Sequence, residues 1–394
     1  METREKIINL LDSYAGNDFP GCNFLINHNE KEILYYENGF ADLDTKRNFT
    51  RNTIIRLASM TKALVSFGAM ILIDREDIKV DDAVERYIPE FKSLKVYKSG
   101  DEYNPVLDSP KRKMTIRDLM SHQSGLPSPN KESEEITSKI AMNIYSNHWW
   151  DSDLNSDHFL LNLSKVPLIF SPGEAWNYGP SIDVLGFIIE RVSGKSLDEF
   201  LKENIFDEVG MPDTGFILND EQQTRLSDLY DYVEGTEKYK LLQKSKNYIE
   251  KSFFSGGGGA YSTIEDYSKF CSLILNKGEW IGRKLISEKS FNLLISNQLN
   301  NKYIHEIAVA MNQEFLNRFK KDGTSHALGF ATLENPNDYG WGGYYSTIYR
   351  VNLELNSSYI MMPQITYPFP LSERGINLQR ELRRLSYQLI SENN

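Results

Sequence analysis

The sequence predicts an α/β fold of the α+β type, in which an antiparallel sheet flanked by helices is joined to a second, mainly helical region. Strand-like apolar runs near both ends of the chain carry this prediction. Residues 21–26 and 33–36 are separated by a polar turn, and residues 346–351 and 358–362 flank Asn356-Ser357. The two pairs indicate an antiparallel sheet built from both ends of the chain.

Helices are predicted at both termini, over residues 3–14 and about 373–391. The second has leucines in phase from Leu378 to Leu389, which gives it one apolar face. We expect these two helices to pack together on one face of the sheet.

Apolar periodicity predicts a mainly helical region between about residues 59 and 250. Helices are expected after Thr115 and after Ser181, and Ser196 to Glu199 has the spacing of a capping box. A helix over residues 263–276 then returns to the sheet part.

These elements predict two domains. Residues 1–58 plus 251–394 form a discontinuous sheet domain, residues 59–250 form the helical domain, and the active site lies in the cleft between them. At 394 residues, with 40% hydrophobic and 25% charged residues, the chain is long enough for one large core or two.

Charge and hydropathy exclude several classes of partner. The net charge is −11, and no basic run or interleaved aromatic and basic pattern suggests nucleic acid. No stretch approaches the roughly 18 apolar residues of a membrane span. Residues 1–14 are too charged for a signal peptide, so the chain as written is expected to be cytoplasmic, or periplasmic or at the envelope if a signal has been removed.

No cofactor and no metal are predicted. The two cysteines, Cys22 and Cys271, are expected to be free buried thiols, and the six histidines show no ligand spacing. Residues 151–162 resemble a calcium loop but lack its glycine and its final glutamate. Residues 256–259 are four glycines without the Lys-Ser/Thr of a phosphate loop, so we interpret them as a close backbone approach near the cleft.

Ser59-Met60-Thr61-Lys62 is the most informative motif. It opens an apolar-periodic segment that predicts a helix, and residues three apart share a helix face, so the Lys62 amine can reach the Ser59 hydroxyl. In the first turn, unpaired N–H groups and the helix dipole favour developing negative charge. A nucleophilic serine is one interpretation, and a helix-capping serine beside a solvated lysine is the other.

The same spacing recurs at Ser128-Pro129-Asn130-Lys131. Two prolines at positions 127 and 129 predict a loop there, so these side chains have no reason to face each other. We therefore expect Ser128 to be dispensable.

Two further motifs favour the catalytic interpretation. Tyr178 lies on a loop just ahead of the helix that begins at Ser181, and residues 339–344 place three glycines around Trp341 before a predicted strand. Taken alone, Tyr178 is equally explained as a half-buried core phenol, and the glycines as a turn.

Together these motifs resemble the serine β-lactamase and penicillin-binding-protein superfamily, in its class C β-lactamase-like branch with the family VIII carboxylesterases and related acyltransferases. The resemblance covers most of the chain. It runs from the segment 49–58 before Ser59, through 114–126 around His122, to Tyr178, the glycines at 256–259 and the Trp341 motif.

The resemblance implies a β-lactamase/transpeptidase-like fold and a role for each motif residue. Ser59 is the acylated nucleophile, Lys62 its base, and Tyr178 the phenol that passes the proton to the leaving group. The oxyanion hole is formed by the backbone N–H groups of Ser59 and Tyr344. His122 is expected to brace a loop.

Departures from the family pattern favour ester chemistry. Tyr178-Gly179-Pro180 lacks the asparagine of Tyr-x-Asn, and Trp341-Gly342-Gly343 has tryptophan where lysine recognises a substrate carboxylate. Trp341 would give an apolar wall to a small-molecule pocket.

The predicted function is therefore a serine hydrolase acting on small esters. The alternatives that remain open are an acyltransferase, a D-amino-acid amidase or peptidase, a weak β-lactamase, and an inactive scaffold of the same fold. Residues 131–165 and 213–252, which in the resembling family choose the substrate, are left unassigned. Within the first of these, Tyr145 and Trp149-Trp150 suggest either an aromatic acyl pocket or ordinary packing.

Overall fold

A computed structural model of the chain describes residues 2–129, 134–145, 155–233, 239–248, 253–333, 337–366 and 369–393. The strands are β1 Gly21–His28, β2 Lys31–Asp42, β3 Arg47–Asn48, β4 Ile55–Arg56, β5 Val96–Gly100, β6 Pro105–Asp108, β7 Leu229–Tyr232, β8 Tyr239–Gln243, β9 Tyr261–Ser262, β10 Glu279–Trp280, β11 Arg283–Lys284, β12 Ser325–His326, β13 Ala331–Thr332, β14 Asp338–Gly342, β15 Ile348–Asn352 and β16 Ser357–Pro363.

The α-helices are α1 Thr3–Asp12, α2 Thr61–Asp74, α3 Ile116–Met120, α4 Ile136–Ile144, α5 Ser156–Leu163, α6 Ser181–Ser193, α7 Leu197–Leu201, α8 Asp207–Val209, α9 Asp220–Arg225, α10 Ile264–Leu275, α11 Glu288–Ile295, α12 Ile304–Ile307, α13 Gln313–Lys321 and α14 Glu373–Glu392.

The main sheet has eight strands in the order β12-β13-β14-β15-β16-β1-β2-β3, and each pair of neighbouring strands is antiparallel. The prediction of an antiparallel sheet built from both ends of the chain is confirmed, because β1 pairs with β16 from Cys22 to His28. Both predicted hairpins are present, and β1, β2 and β16 extend beyond their apolar runs, whereas β15 is one residue shorter than the predicted run 346–351.

The two terminal helices pack together on one face of this sheet, as predicted. Thr3 Oγ1 donates a hydrogen bond to Glu392 Oε1 at 2.6 Å, and Tyr14 OH donates to the Arg374 carbonyl at 3.1 Å. The leucines from Leu378 to Leu389 are all buried in this layer. At roughly 1.5–3 kcal/mol for each buried leucine, this stripe is what holds α14 on the sheet.

Helix α10 covers the opposite face of the sheet and leads to the site. It packs on β1, β15 and β16, and Thr263 caps it by accepting a hydrogen bond from the Asp266 N–H at 3.1 Å. Tyr267 is fully buried and donates to the Met60 carbonyl at 3.0 Å. The sheet layer is thereby tied to the turn that carries Ser59.

Helix α2 is the centre of the largest hydrophobic core. Every residue from Thr61 to Leu72 is buried, with α6, α7 and α11 packed around it. A Cβ on Gly68 would lie 2.5 Å from Leu201 Cδ2, so α7 can approach only because Gly68 has no side chain. A helix enclosed on all sides is a rigid support for the residues at its N-terminus.

Local signals in the helical region are also confirmed. Ser196 and Glu199 form the predicted capping box, and Thr115 forms a second one with Asp118. Helix α6 ends at Gly194 in the left-handed conformation. Cys22 and Cys271 are buried free thiols.

Two hairpins were not predicted. The strands β5–β6 and β7–β8 lie within residues 59–250, and Tyr230 of β7 packs into the sheet core. All four strands are short, and β5, β6 and β8 are mostly exposed, so periodicity in the sequence is a weak signal for them.

Some sequence motifs are outside the described residues. Trp149, Trp150 and the start of the calcium-like segment at 151–154 lie there, whereas Tyr145 is described and buried. Within the described residues, no helix has both the length and the apolar character needed to cross a membrane.

Candidate active site

Ser59 lies in a short 3-10 turn, Ala58–Met60, directly before α2. Ser59 is therefore just outside the first turn of the α-helix, whereas the sequence predicted it inside that turn. Ala58 takes φ 48°, a left-handed conformation that is uncommon for a residue with a side chain. This tight entry turns the half-buried Ser59 towards the cleft while α2 begins behind it.

Lys62 reaches Ser59 as the spacing predicts. Its Nζ lies 3.2 Å from Ser59 Oγ, and it also donates a hydrogen bond to the Gly257 carbonyl. The side chain is 6% exposed, and no carboxylate of the described residues lies within 4 Å of its amine. The Lys62 amine is thus oriented by the Ser59 hydroxyl and the Gly257 carbonyl and not by an ion pair with a described residue.

A buried carboxylate holds the Gly257 carbonyl in place. Asp183, in the first turn of α6, accepts hydrogen bonds from Ser255 Oγ at 2.5 Å and from the Gly257 N–H at 3.1 Å. A Cβ on Gly257 would lie 2.4 Å from the Asp183 carboxylate. The close backbone approach that the glycine run predicted occurs here, and it positions Lys62.

Tyr178 packs against the same amine. Lys62 Nζ lies 4.7 Å from the centre of the Tyr178 ring. The Tyr178 hydroxyl accepts a hydrogen bond from the Trp341 indole N–H at 3.1 Å, which leaves its own proton available to a group in the cleft.

Ser128 is not the uninvolved loop residue that the sequence analysis expected. Its Oγ donates a hydrogen bond to the Tyr178 carbonyl at 2.8 Å, so it steadies the loop that carries the phenol. The serine is half-buried, and Lys131 of the same motif lies outside the described residues. Prolines at 127 and 129 predicted the loop correctly but gave no sign of what it contacts.

The glycine motif brings the edge of the sheet against the Ser59 turn. Trp341 and Gly342 end β14, which the sequence analysis had not predicted as a strand because glycines disfavour one. A Cβ on Gly343 would lie 2.5 Å from the Leu57 carbonyl and 3.2 Å from Ala58 Cβ. Only a glycine allows this contact.

These residues line one cavity of about 190 Å³. Ser59, Tyr178 and the motif from Trp341 to Tyr344 form one wall, and the rest combines apolar side chains with polar and charged ones, among them Arg318 and Arg350. Its apolar members are Met311, Phe315, Phe319, Ala331 and Leu333. This apolar wall was not predicted from the sequence, although Phe315 and Phe319 are spaced as neighbours on one helix face.

Two buried histidines stand behind Tyr178. His122 packs 4.8 Å from the Tyr178 ring and 5.3 Å from His326, measured between ring centres. Burial, then the His326 and Lys62 charges, lowers the pKa of His122 well below its ordinary value. Burial and the Lys62 charge lower the pKa of His326 to about 4. Both imidazoles are neutral at pH 7, which agrees with a bracing role for His122.

The donor groups near Ser59 do not form a metal site. Among the described residues, no cluster of three or more histidine, cysteine, aspartate or glutamate side chains is arranged to hold an ion.

Comparison with known proteins assigns the family. The profile described as Beta-lactamase matches residues 7–383. The chain belongs to the beta-lactamase family. Its members similar to this chain include esterases, acyltransferases and a penicillin-binding protein, so the recognition made from the motifs is confirmed.

Individual relatives in the family are distant. Protein Rv1367c of Mycobacterium tuberculosis is 28% identical over 277 residues, which are 69% of this chain and 66% of that protein. Esterase EstB of Burkholderia gladioli is 28% identical over 251 residues, 60% of each chain. The matches thus span two thirds or less of these curated relatives.

Solved structures agree with the fold. EstCE1, described as a hydrolase with promiscuous acyltransferase activity, has a TM-score of 0.76 at 20% identity, with 98% of both chains covered. Simvastatin synthase (LovD) from Aspergillus terreus has a TM-score of 0.79 at 19% identity, again with 98% of both chains covered. The predicted β-lactamase/transpeptidase-like fold is confirmed.

Proposed function

We propose that this protein is a serine esterase that forms an acyl-enzyme on Ser59 and hydrolyses small esters. The observation that carries the proposal is the 3.2 Å contact between Lys62 Nζ and Ser59 Oγ, beside a cavity that has an apolar wall. A hydroxyl beside an amine is the arrangement of an activated nucleophile.

In the proposed reaction, Ser59 Oγ attacks the ester carbonyl carbon while its proton moves to the lone pair of the unprotonated Lys62 amine. The carbonyl oxygen becomes an oxyanion, held by the backbone N–H groups of Ser59 and Tyr344. The proton then passes through Tyr178 to the leaving alkoxide, so the C–O bond breaks and a neutral alcohol departs. Water attacks the acyl-enzyme by the same route in reverse and releases the acid.

Ester chemistry is favoured over lactam or peptide chemistry by two residue identities. Trp341 offers an apolar face and one N–H, which here donates to Tyr178, and Pro180 has no amide to grip a peptide-like substrate. Two relatives with esterase names, EstB and the lovastatin esterase of Penicillium rubens, are each 28% identical to this chain.

Acyl transfer to an alcohol is the second candidate. It uses the same acyl-enzyme, and the acyltransferase mokF of Monascus pilosus is 27% identical over 57% of this chain. The two reactions differ only in whether water or an added alcohol takes the acyl group.

The test compares a p-nitrophenyl butyrate assay and a chromogenic cephalosporin assay for wild type and Ser59→Ala. We expect ester turnover that Ser59→Ala abolishes, little lactam opening, and a butyryl adduct on the peptide containing Ser59 by mass spectrometry. Ser13→Ala, at an exposed serine near the end of α1, is the matched control and should retain full activity.

Rapid lactam opening, or ester turnover that survives Ser59→Ala, would overturn the proposal. If neither substrate is turned over and no adduct forms, the remaining interpretations are an amidase, a peptidase or an inactive scaffold. If an added alcohol captures the acyl group faster than water does, the second candidate replaces the first.

A further inference from the structure

A second and larger cavity adjoins the catalytic one. It has a volume of about 570 Å³ and lies between α13, α14 and the strands β15 and β16. Four residues line both cavities: Arg318, Asp322, Arg350 and Gln379. A ligand in the catalytic cavity can therefore extend into the larger one.

The larger cavity is positively charged in an acidic protein. Five cationic side chains line it, against three carboxylates, whereas the whole chain carries a net charge of −11. The cations are Arg318, Lys321, Arg350, Arg380 and Arg383, and the carboxylates are Glu314, Asp322 and Glu373. A cationic cleft in such a chain favours an anionic ligand locally.

Arg350 is the buried member of this set. It is 8% exposed, and its Nη1 donates to the Tyr349 carbonyl at 2.8 Å and to the Trp341 carbonyl at 3.2 Å. Its Nε has no hydrogen-bond partner in the described part of the chain, and no carboxylate there lies within 4 Å of the guanidinium. A buried charge left in this state is unfavourable until an anion pairs with it.

Strand β14 leaves space for this arginine. Gly340 is the cross-strand partner of Arg350, and a Cβ there would lie 2.9 Å from both Cδ and Nη1 of Arg350. The guanidinium can lie across the strand only because the facing residue is glycine.

Arg318 adds a second cation beside it. Its Nη2 donates to Gln379 Oε1, and its Nε lies 3.8 Å from the Asp322 carboxylate. That carboxylate is shared, since Arg383 Nη2 lies 3.3 Å from its other oxygen. Burial, followed by the charge of Arg350, lowers the pKa of Arg318 to about 10. Among the described residues, Asp322 is the carboxylate within 4 Å of Arg318 and Arg383, and the buried Asp338 acts on Arg350 and Arg383 at longer range. Two carboxylates therefore face three arginines.

We propose that Arg350 and Arg318 bind a carboxylate at the far end of the ester substrate, so that the physiological substrate is an ester whose acyl chain ends in a carboxylate. A guanidinium fork matches a carboxylate in shape, and this pairing is stronger than one between neutral groups. The inference rests on the esterase function proposed above and specifies its substrate class.

The spacing sets the length of the acyl chain. Gly343, just after β14, contacts the Ser59 turn, and Gly340 within β14 faces Arg350, so the two sites are three residue steps apart along the chain. At about 3.3 Å per residue, this is roughly 10 Å. Several methylene groups must therefore separate the ester carbonyl from the carboxylate.

The test measures kcat/KM for two p-nitrophenyl esters of equal chain length, the octanoate and the suberic acid monoester. In wild type the carboxylate-bearing ester should be preferred by about tenfold or more, and added salt should reduce the preference. Arg350→Gln and Arg318→Gln should each reduce this ratio towards one. Arg384→Gln is the matched control, because Arg384 is exposed on the same helix as Arg383 but does not line the cavity.

Because the two esters are compared within each variant, a general loss of activity does not change the ratio of their kcat/KM values. If Arg350→Gln does not fold, Arg318→Gln still tests the inference, since Arg318 is only half-buried. Equal kcat/KM for the two esters in wild type would overturn the inference while leaving the esterase proposal intact. An equal loss of preference in Arg384→Gln would also overturn it, by indicating long-range charge alone.

If neither ester is hydrolysed, the esterase proposal fails. Calorimetry then tests independently whether the two arginines bind a carboxylate. Titration of Ser59→Ala with suberate should show binding that Arg350→Gln in the same background removes. Absence of binding there would exclude the carboxylate site as well.

Discussion

The hydrogen bond from Trp341 to Tyr178 gives the motif a function that its sequence does not reveal. The class C-like pattern has a cationic lysine at position 341, whereas here an indole N–H donates to the phenol oxygen at 3.1 Å. An indole carries no charge, so in the proposed reaction it would orient the phenol and stabilise developing negative charge on the oxygen without repelling Lys62. Sequence reasoning predicted an apolar wall and missed the donor.

Trp341→Phe should lower kcat/KM for a neutral ester by roughly tenfold, because one hydrogen bond to the phenol proposed to carry the proton is lost while the aromatic wall remains. Tyr178→Phe should cost much more. The double variant should be no slower than Tyr178→Phe alone, since the indole acts through the phenol. Additive losses in this steady-state cycle would contradict the assigned role.

At the scale of elements, the end of β14 sets the distance between the sheet and the Ser59 turn. Gly343 packs on Leu57 and Ala58, and Thr347 Oγ1 donates to the Leu57 carbonyl at 3.0 Å. The proposed oxyanion donors belong to these two elements, so their separation controls the geometry of catalysis.

Gly343→Ala should reduce kcat by about a hundredfold or more while the protein still folds, because the new Cβ would meet Thr347 Oγ1 at 2.1 Å and the Leu57 carbonyl at 2.5 Å. Gly342→Ala is the matched control, since its Cβ would meet only the Thr347 carbonyl, at 3.2 Å. Ester kinetics and circular dichroism of both variants check this. Equal kcat losses in the two would show that the close approach is not the cause.

Elements with strong local signals were predictable, and those made by tertiary contact were not. Helices α6, α10 and α14 and the hairpin of β15 and β16 follow from periodicity and caps, and their bounds agree to within a few residues. Strand β14 was missed because two of its five residues are glycine and its pairing is supplied by neighbours.

The site shows the same division. The contact between Ser59 and Lys62 was predictable because it lies within one helix start. Arg318 and Arg350 were not, because they are remote in sequence and meet only through the fold, and nothing near either one marks a site.

At the scale of the whole molecule, the two buried histidines link stability to pH. His326 has a pKa of about 4 in the folded protein, against about 6.5 when unfolded, and His122 is shifted in the same direction. Between pH 6.5 and pH 4 the unfolded chain binds protons at these histidines that the folded chain does not. Their contribution to the free energy of unfolding is therefore fully present above about pH 6.5 and is lost as the pH falls towards 4.

We expect His326→Gln to lose less unfolding free energy than wild type between pH 7 and pH 4. At about 1.4 kcal/mol per pH unit, His326 alone accounts for roughly 3 kcal/mol of the wild-type loss. Urea unfolding at the two pH values measures it. His158→Gln, at an exposed histidine, should follow wild type, and a His326→Gln curve parallel to wild type would refute the assignment.

The pairing of β1 with β16 affects how the protein is made. During synthesis, Cys22 emerges more than three hundred residues before its partner Pro363. At roughly 5–20 residues per second, the ribosome leaves β1 without this neighbour for tens of seconds or more. An apolar strand that waits so long is a binding site for chaperones and a seed for aggregation, so yield in a foreign host should depend on chaperone supply more than on the stability of the finished enzyme.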